Sequence, residues 1–419
     1  MSVFATPDQS LIDSFLANFG AQGMTALKDT DWKAYVPGDY AATGDLVGFV
    51  RKGNESIYVF DTDGVRGSTV IGHVLADDEE ADADTLADLQ VIGRMVDGQL
   101  QLQVKDGGAL RPVRIKRYDL TDRLLSRNTG LLESDVMLDK TVVLVGVGSV
   151  GSYYAMQMAR SGVGRFVLID TDTLEIHNVC RHQCGFEDLG RFKVDAVRDR
   201  VLNINPHAEV ITFRGAIQDM LDDEILPYLG RDTLIVGGGD NRASSAYANE
   251  LACRTDSSFV AVGCWTRAYA GEVFYWQSGH DLACYECAFG GMIDDSERPD
   301  AHNHYFGTQE DEDTLSFEPG IAADIDFVNC VAVKVGLDLL NRDNPNYTQR
   351  VLGYLQQYTW VCNTNATNIG GEMAGIFEHP LQVTHNLQVN KRADCPHCGS
   401  GGAVDAEGHE DADEAAAAE

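Results

Sequence analysis

The sequence predicts an α/β protein: a Rossmann-like, mostly parallel sheet with helices on both faces, a small N-terminal α+β domain and a cysteine-knuckle region. Three observations carry this reading. Residues 140–172, "KTVVLVGVGSVGSYYAMQMARSGVGRFVLIDTD", run strand, Gly-rich turn, helix, strand, carboxylate. From Lys140 onward, short apolar strands alternate with helical stretches, the pattern of βαβ units. Two C-x-x-C pairs, "CYEC" and "CPHC", stand late in the chain.

In chain order, residues 1–115 form the expected accessory domain. "SLIDSFLANFGAQG" reads as a short helix stopped by Gly, and "SIYVFDTDG" and "QLQLQVKDGG" as strands ending in turns. "ADDEEADADTLAD" (76–88) is an acidic loop or helix start. All ten cysteines lie from Cys180 onward, so this first domain carries no thiol chemistry. Residues 116–400 form the expected main domain. Residues 401–419 are Gly, Ala and acid and read as a disordered tail.

Composition sets limits. The chain of 419 residues is 44% apolar, enough for a large core in two or more domains. Its formal charge of −33 argues against general nucleic-acid or anionic-membrane binding, because both need a basic surface. No apolar run is long enough to cross a bilayer, and no basic segment precedes an apolar one at the N-terminus. Ten cysteines in a chain this long do not make a disulfide scaffold, so a reducing cytoplasm is expected.

The Gly-rich turn spells G-x-G-x-x-G as Gly146, Gly148 and Gly151, directly after "TVVLV". Glycines let the backbone turn tightly and approach a phosphate, and the following helix offers unpaired N–H groups to it. Asp170 follows at the end of "RFVLI", where a carboxylate can accept hydrogen bonds from ribose hydroxyls. Up to this point NAD, FAD and ATP all fit. Asn178, Arg181 and Lys193 come next, in a loop and at the next helix start. Fixed cations suit a triphosphate and its transfer chemistry. Asp240 ends the apolar strand of "DTLIVGGGDN", where a carboxylate can hold Mg²⁺ against the phosphates.

This order of elements resembles the ThiF/MoeB family of adenylating enzymes, which includes the ubiquitin-activating enzymes. The likeness runs over about residues 123–398, through G-x-G-x-x-G, D-x-D (Asp170 to Asp172), N-x-x-R (Asn178 to Arg181), G-x-x-K (Gly190 to Lys193), I-N-P (Ile204 to Pro206) and D-N (Asp240, Asn241). It implies that a small ubiquitin-like protein is adenylated at its C-terminal glycine with ATP and Mg²⁺. By the same resemblance, Gly146, Gly148, Gly151, Asp170 and Asn178 bind ATP. Arg181 and Lys193 hold phosphates and stabilise developing charge, and Asp240 positions Mg²⁺. An arginine reaches over from a partner subunit, and Arg127 in "RLLSRNTGLL" aligns with it, which implies a homodimer. Many members carry Gln after the N-x-x-R arginine, whereas this chain carries His182.

Each C-x-x-C pair can present two thiolates to one ion, and four sulfurs make a closed tetrahedral site typical of structural zinc. The 107 residues between the pairs mean that spacing alone does not join them. The resemblance joins Cys284, Cys287, Cys395 and Cys398 around one zinc, with His397 a bystander. Ubiquitin-activating relatives also carry a catalytic cysteine in the crossover segment, here residues 288–329, which holds none. Its hydroxyls include Thr314 and Ser316. Cys253, Cys264, Cys330 and Cys362 read as core, and Cys180 and Cys184 flank Arg181. The chain therefore stops at the adenylate and hands it to a conjugating-enzyme-like protein, or it uses an unusual acceptor.

"GSVGS", "NVCRH" and "CYECAFG" resemble bacterial ThiF-family enzymes of ubiquitin-like conjugation operons. The runner-up is a sulfur-carrier-protein adenylyltransferase of a molybdopterin- or thiamin-type pathway, and a tRNA-base dehydratase comes third. A nicotinamide oxidoreductase explains the glycines and Asp170 but leaves Arg181, Lys193, Asp240 and the knuckles without a role.

Overall fold

In the computed structural model the described residues are 32–61 (except 39), 65–79 (except 66 and 78), 89–119, 124–239, 242–290, 319–364 and 384–398. The chain divides into two compact units, Met1–Leu124 and Leu125–Glu419.

The first unit is a closed seven-stranded barrel of order β1-β3-β2-β4-β5-β6-β7. Its strands are β1 (Lys33–Pro37), β2 (Gly44–Arg51), β3 (Ser56–Phe60), β4 (Thr69–Leu75), β5 (Val91–Val96), β6 (Gln99–Asp106) and β7 (Ala109–Tyr118). The alternation of "QLQLQVKD" buries Leu100, Leu102 and Val104 and leaves the glutamines outside. Two glycines sit where a neighbouring strand comes close. A Cβ on Gly48 would lie 1.9 Å from the Tyr58 carbonyl oxygen, and one on Gly72 would lie 2.1 Å from that of Val91. The strands of the expected α+β domain close into this barrel. The described residues carry strands and one 3-10 turn, Lys52–Asn54, while the expected helix in "SLIDSFLANFGAQG" lies outside them. The last strand also runs to Tyr118, past the expected boundary at 115, because β7 must extend to pair with Pro37 of β1.

The second unit holds an eight-stranded sheet of order β10-β9-β8-β11-β12-β13-β14-β15. Five strands are parallel: β8 (Thr141–Val145), β9 (Arg165–Ile169), β10 (Glu209–Phe213), β11 (Thr233–Gly237) and β12 (Ser258–Cys264). The antiparallel strands β13 (Ala270–Trp276), β14 (Tyr358–Cys362) and β15 (Thr384–Leu387) extend one edge. The helices are α1 (Ser134–Leu138), α2 (Ser149–Arg160), α3 (Lys193–Ile204), α4 (Asp222–Ile225), α5 (Arg242–Thr255), α6 (Tyr285–Phe289) and α7 (Ala322–Leu340). β8 and β11 are buried at every position, as expected of central strands covered on both faces. One core layer packs α2, α3 and α7 on the sheet, and the other packs α5 and α6. Strand order reverses between β8 and β11, which makes their carboxyl ends the topological switch point where such sheets bind ligands.

Candidate functional site

A cleft of about 530 Å³ opens at the carboxyl ends of β8, β9, β10, β11 and β12. Gly146 and Gly148 of the turn line it, with Asp170, Thr171 and Asp172 after β9, Gly215, Ala216 and Ile217 after β10, and Gly238 and Gly239 after β11. The turn is built for closeness. Gly146 has φ +86°, and a Cβ there would stand 2.8 Å from the Gly239 backbone. A Cβ on Gly151 would stand 2.0 Å from the Gly146 carbonyl oxygen. Gly151 is thus the hinge behind the turn and does not itself line the cleft. α2 starts at Ser149 after Gly148, which has no side chain to cap it, so its first N–H groups take no capping side chain from that residue.

A chain of hydrogen bonds ties the site together. Asp170 Oδ2 accepts the Val147 N–H at 2.7 Å and Oδ1 accepts the Asp172 N–H at 2.8 Å. Burial raises the Asp170 carboxyl above its usual range, against the pull of those two N–H groups and of Lys193. Lys193 begins α3, is buried, and its Nζ donates to Asp172 Oδ2 at 2.6 Å. Burial opposes ionisation of Asp172, but the bond and charge of Lys193 outweigh it and hold that carboxyl below its usual range.

His182 completes the strap. Its Nε2–H donates to the Val147 carbonyl at 2.8 Å, and its Nδ1 accepts the Cys184 N–H at 3.0 Å. A carbonyl can only accept and an N–H only donate, so the ring is the neutral Nε2–H tautomer. Burial pushes its pKa down to about 4. A Gln amide also offers one acceptor and one donor group, the same two functions that His182 uses here.

The structure therefore brings Gly146, Gly148, Asp170, Asn178, Arg181 and Lys193 to one cleft. Asn178 spends its Oδ1 on the Glu175 N–H at 2.9 Å. Arg181 is half-buried in the cleft wall, with its guanidinium 3.7 Å from where a Cβ on Gly320, just before α7, would stand. Arg127 is exposed in the turn before α1 and is not among the cleft-lining residues. Asp240 and Asn241 lie outside the described residues, although the preceding Gly239 lines the cleft. Sequence reasoning missed Ser149, Ala216, Ile217, Ser244 and Ile325, which also line it. Ser149 was legible as the residue after the second glycine. The others come from distant segments.

The four knuckle sulfurs converge, lying within 4.8 Å of one another. Cys284 and Cys395 Sγ are 3.4 Å apart, and Cys287 and Cys398 Sγ are 3.6 Å apart. Zinc–sulfur bonds of about 2.3 Å give tetrahedral edges of about 3.8 Å, so the set is compatible with zinc. Burial disfavours the Cys395 thiolate, yet backbone N–H groups of Cys398 and His397 hold its pKa below the usual range. His397 is outside the cluster. Among the other cysteines, Cys362 is buried and Cys253 and Cys264 are half-buried, but Cys330 is exposed, contrary to the core expectation. Its neighbours Asn329, Ala332 and Val333 take the inner side of α7 and turn it outward.

Residues 121–364, more than half of the chain, match the ThiF family. The chain belongs to the ThiF family. Within it, one similar protein is the tRNA threonylcarbamoyladenosine dehydratase of Bacillus subtilis, 42% identical over 102 residues, which is 24% of this chain and 40% of that one. Another is ubiquitin-like modifier-activating enzyme 5 of Caenorhabditis elegans, 30% identical over 164 residues, 37% of this chain and 39% of that one. The chain thus spans less than half the length of these ThiF-family relatives. A crystal structure of E. coli MccB with ATP is similar at 17% identity and TM-score 0.45, over 64% of this chain and 68% of that one. Among the described residues no helix is long and apolar enough to cross a membrane.

Proposed function

We propose that this ThiF-family protein uses ATP to adenylate the C-terminal glycine of a small ubiquitin-like protein in a bacterial conjugation pathway. The observation that carries the reading is the cleft itself. It holds a Gly-rich turn, an uncapped helix start, a strand-end carboxylate and two cations at a sheet's switch point. Asp170, already oriented by two N–H groups, binds the ribose. Lys193 and Arg181 bind phosphates, with Lys193 exchanging Asp172 for a phosphate oxygen. Asp240 holds Mg²⁺, which neutralises phosphate charge when bound. The glycine carboxylate oxygen attacks the α-phosphorus, the bond to the bridging oxygen breaks, and pyrophosphate leaves with the electron pair. Arg127 of a second copy reaches this site in the homodimer.

Pyrophosphate exchange into ATP, driven by a glycine-ended small protein, tests the reading. Arg181→Ala and Lys193→Ala should each lower exchange about 100-fold while the protein stays folded. Asp240→Ala should abolish it. Tight NAD binding without an ATP response would sink the proposal. The Bacillus subtilis relative favours a second reading, ATP-dependent dehydration of a tRNA base. Under that reading tRNA, and no small protein, stimulates ATP turnover.

A further inference from the structure

Strands β7, β1 and β3 lie side by side in the barrel. Together they carry five of the chain's 32 Lys and Arg residues and none of its 65 Asp and Glu residues. Arg111 and Arg117 are committed to the barrel itself. Arg111 pairs with Asp106 at 3.2 Å, and Arg117 donates to the Pro37 and Tyr40 carbonyls at 3.0 and 2.7 Å. Strand alternation turns Lys33 and Lys116 outward, opposite the buried Ala34 and half-buried Ile115. Arg51 joins them from the end of β2.

Aromatic rings fill the space between these cations. Tyr35 stands opposite Tyr58, with ring centroids 4.9 Å apart and planes at 11°. Tyr58 in turn stands opposite Phe49 on β2. Lys116 Nζ lies 5.7 Å from the Tyr35 centroid, and the Arg51 guanidinium lies 4.5 Å from that of Phe49. These rings are only half-buried, although burying such area is their main contribution to stability.

We propose that this outer face of the barrel docks a carboxylate-rich segment of a protein partner. The sign of the face is opposite to that of the −33 chain around it, so it attracts what the rest of the chain repels. Aromatic and arginine side chains are the types that interface cores favour. The ring geometry selects protein over single-stranded nucleic acid. Bases bind by stacking on free ring faces. Here Tyr35 and Tyr58 cover each other, while Lys116 and Arg51 occupy faces of Tyr35 and Phe49. The cation N–H groups and tyrosine hydroxyls beside these rings suit carboxylates, and the ring edges suit apolar side chains.

The test titrates the full chain into fluorescein-labelled deca-glutamate and, separately, labelled deca-thymidylate, followed by anisotropy. Saturable deca-glutamate binding is expected, weakened at least about tenfold in Arg51→Glu/Lys116→Glu. Because charge reversal can disturb a strand, Arg51→Gln/Lys116→Gln is measured beside it. That pair should stay folded by circular dichroism and show a smaller loss. No deca-glutamate binding, equal binding in both variants, or deca-thymidylate binding as tight as that of deca-glutamate overturns the proposal.

Discussion

His182 shows how much one side chain can hold. It joins the Gly-rich turn to the loop carrying Arg181, and it does so only while neutral. Its folded pKa of about 4 lies below the ordinary value near 6.5. The folded state therefore binds fewer protons than the unfolded chain across that window. Stability is full above about pH 6.5 and falls as pH drops toward 4, by about 2 kcal/mol at pH 5. His182→Gln keeps a donor and an acceptor and should remove this acid sensitivity, whereas His182→Ala should lower the melting temperature at every pH. Thermal unfolding from pH 8 to pH 5 reads both. The thiols beside Arg181 differ from each other. Burial pushes Cys184 up to about 12, so it is a poor nucleophile. Cys180 is exposed, with its sulfur 3.3 Å from the His177 carbonyl. With no cysteine in residues 288–329, no thiol-labile adduct with the small protein is expected. A thiol-labile adduct lost on Cys180→Ala would overturn this. A base-labile one lost on Ser316→Ala or Thr314→Ala, which lie outside the described residues, would reveal an ester.

At the scale of elements, the β8–α2 turn is the most constrained. Gly151→Ala drives a methyl group into the Gly146 carbonyl, a backbone atom with nowhere to go. That substitution should cost about 1–3 kcal/mol and abolish nucleotide binding with it. Gly148→Ala meets no atom within 4 Å and has no positive φ, so the fold should tolerate it, and any loss should appear in phosphate affinity alone. Comparing melting temperature with ATP titration for the two variants separates these effects. Gly336 plays a similar part where α7 crosses α2, since a Cβ there would stand 1.9 Å from the Tyr154 hydroxyl oxygen.

At the scale of the molecule, the sulfur cluster ties the segment 391–398 to the second core layer. Cys284 and Cys395 pack with Phe259, Phe274 and Tyr285, and Asn249 of α5 accepts the Tyr285 N–H at 2.7 Å. Elemental analysis should find about one zinc per chain. Cys395→Ala or a strong chelator should lower the melting temperature by about 10 °C or more, because binding energy here is folding energy. A metal-free protein of equal stability would refute a structural zinc.

The local pattern was enough to read β8, the Gly-rich turn, α2 and β9, and with them Gly146, Gly148, Asp170, Asn178, Arg181 and Lys193 as one group. These features depend on neighbours in the chain: apolar alternation, glycine freedom, and carboxylates at strand ends. What only the tertiary structure decided depends on distant partners. Gly146 meets Gly239, Asp172 takes Lys193, and Ile325 arrives from α7. The two cysteine pairs meet because β13, α6 and the C-terminal segment converge on one core layer. The closure of the first unit into a barrel was not legible, because it rests on the parallel pairing of β1 with β7, about eighty residues apart in sequence. A strand's pattern reports which face is buried, but it says nothing of which strand lies beside it, because that choice is made by non-local hydrogen bonds and packing.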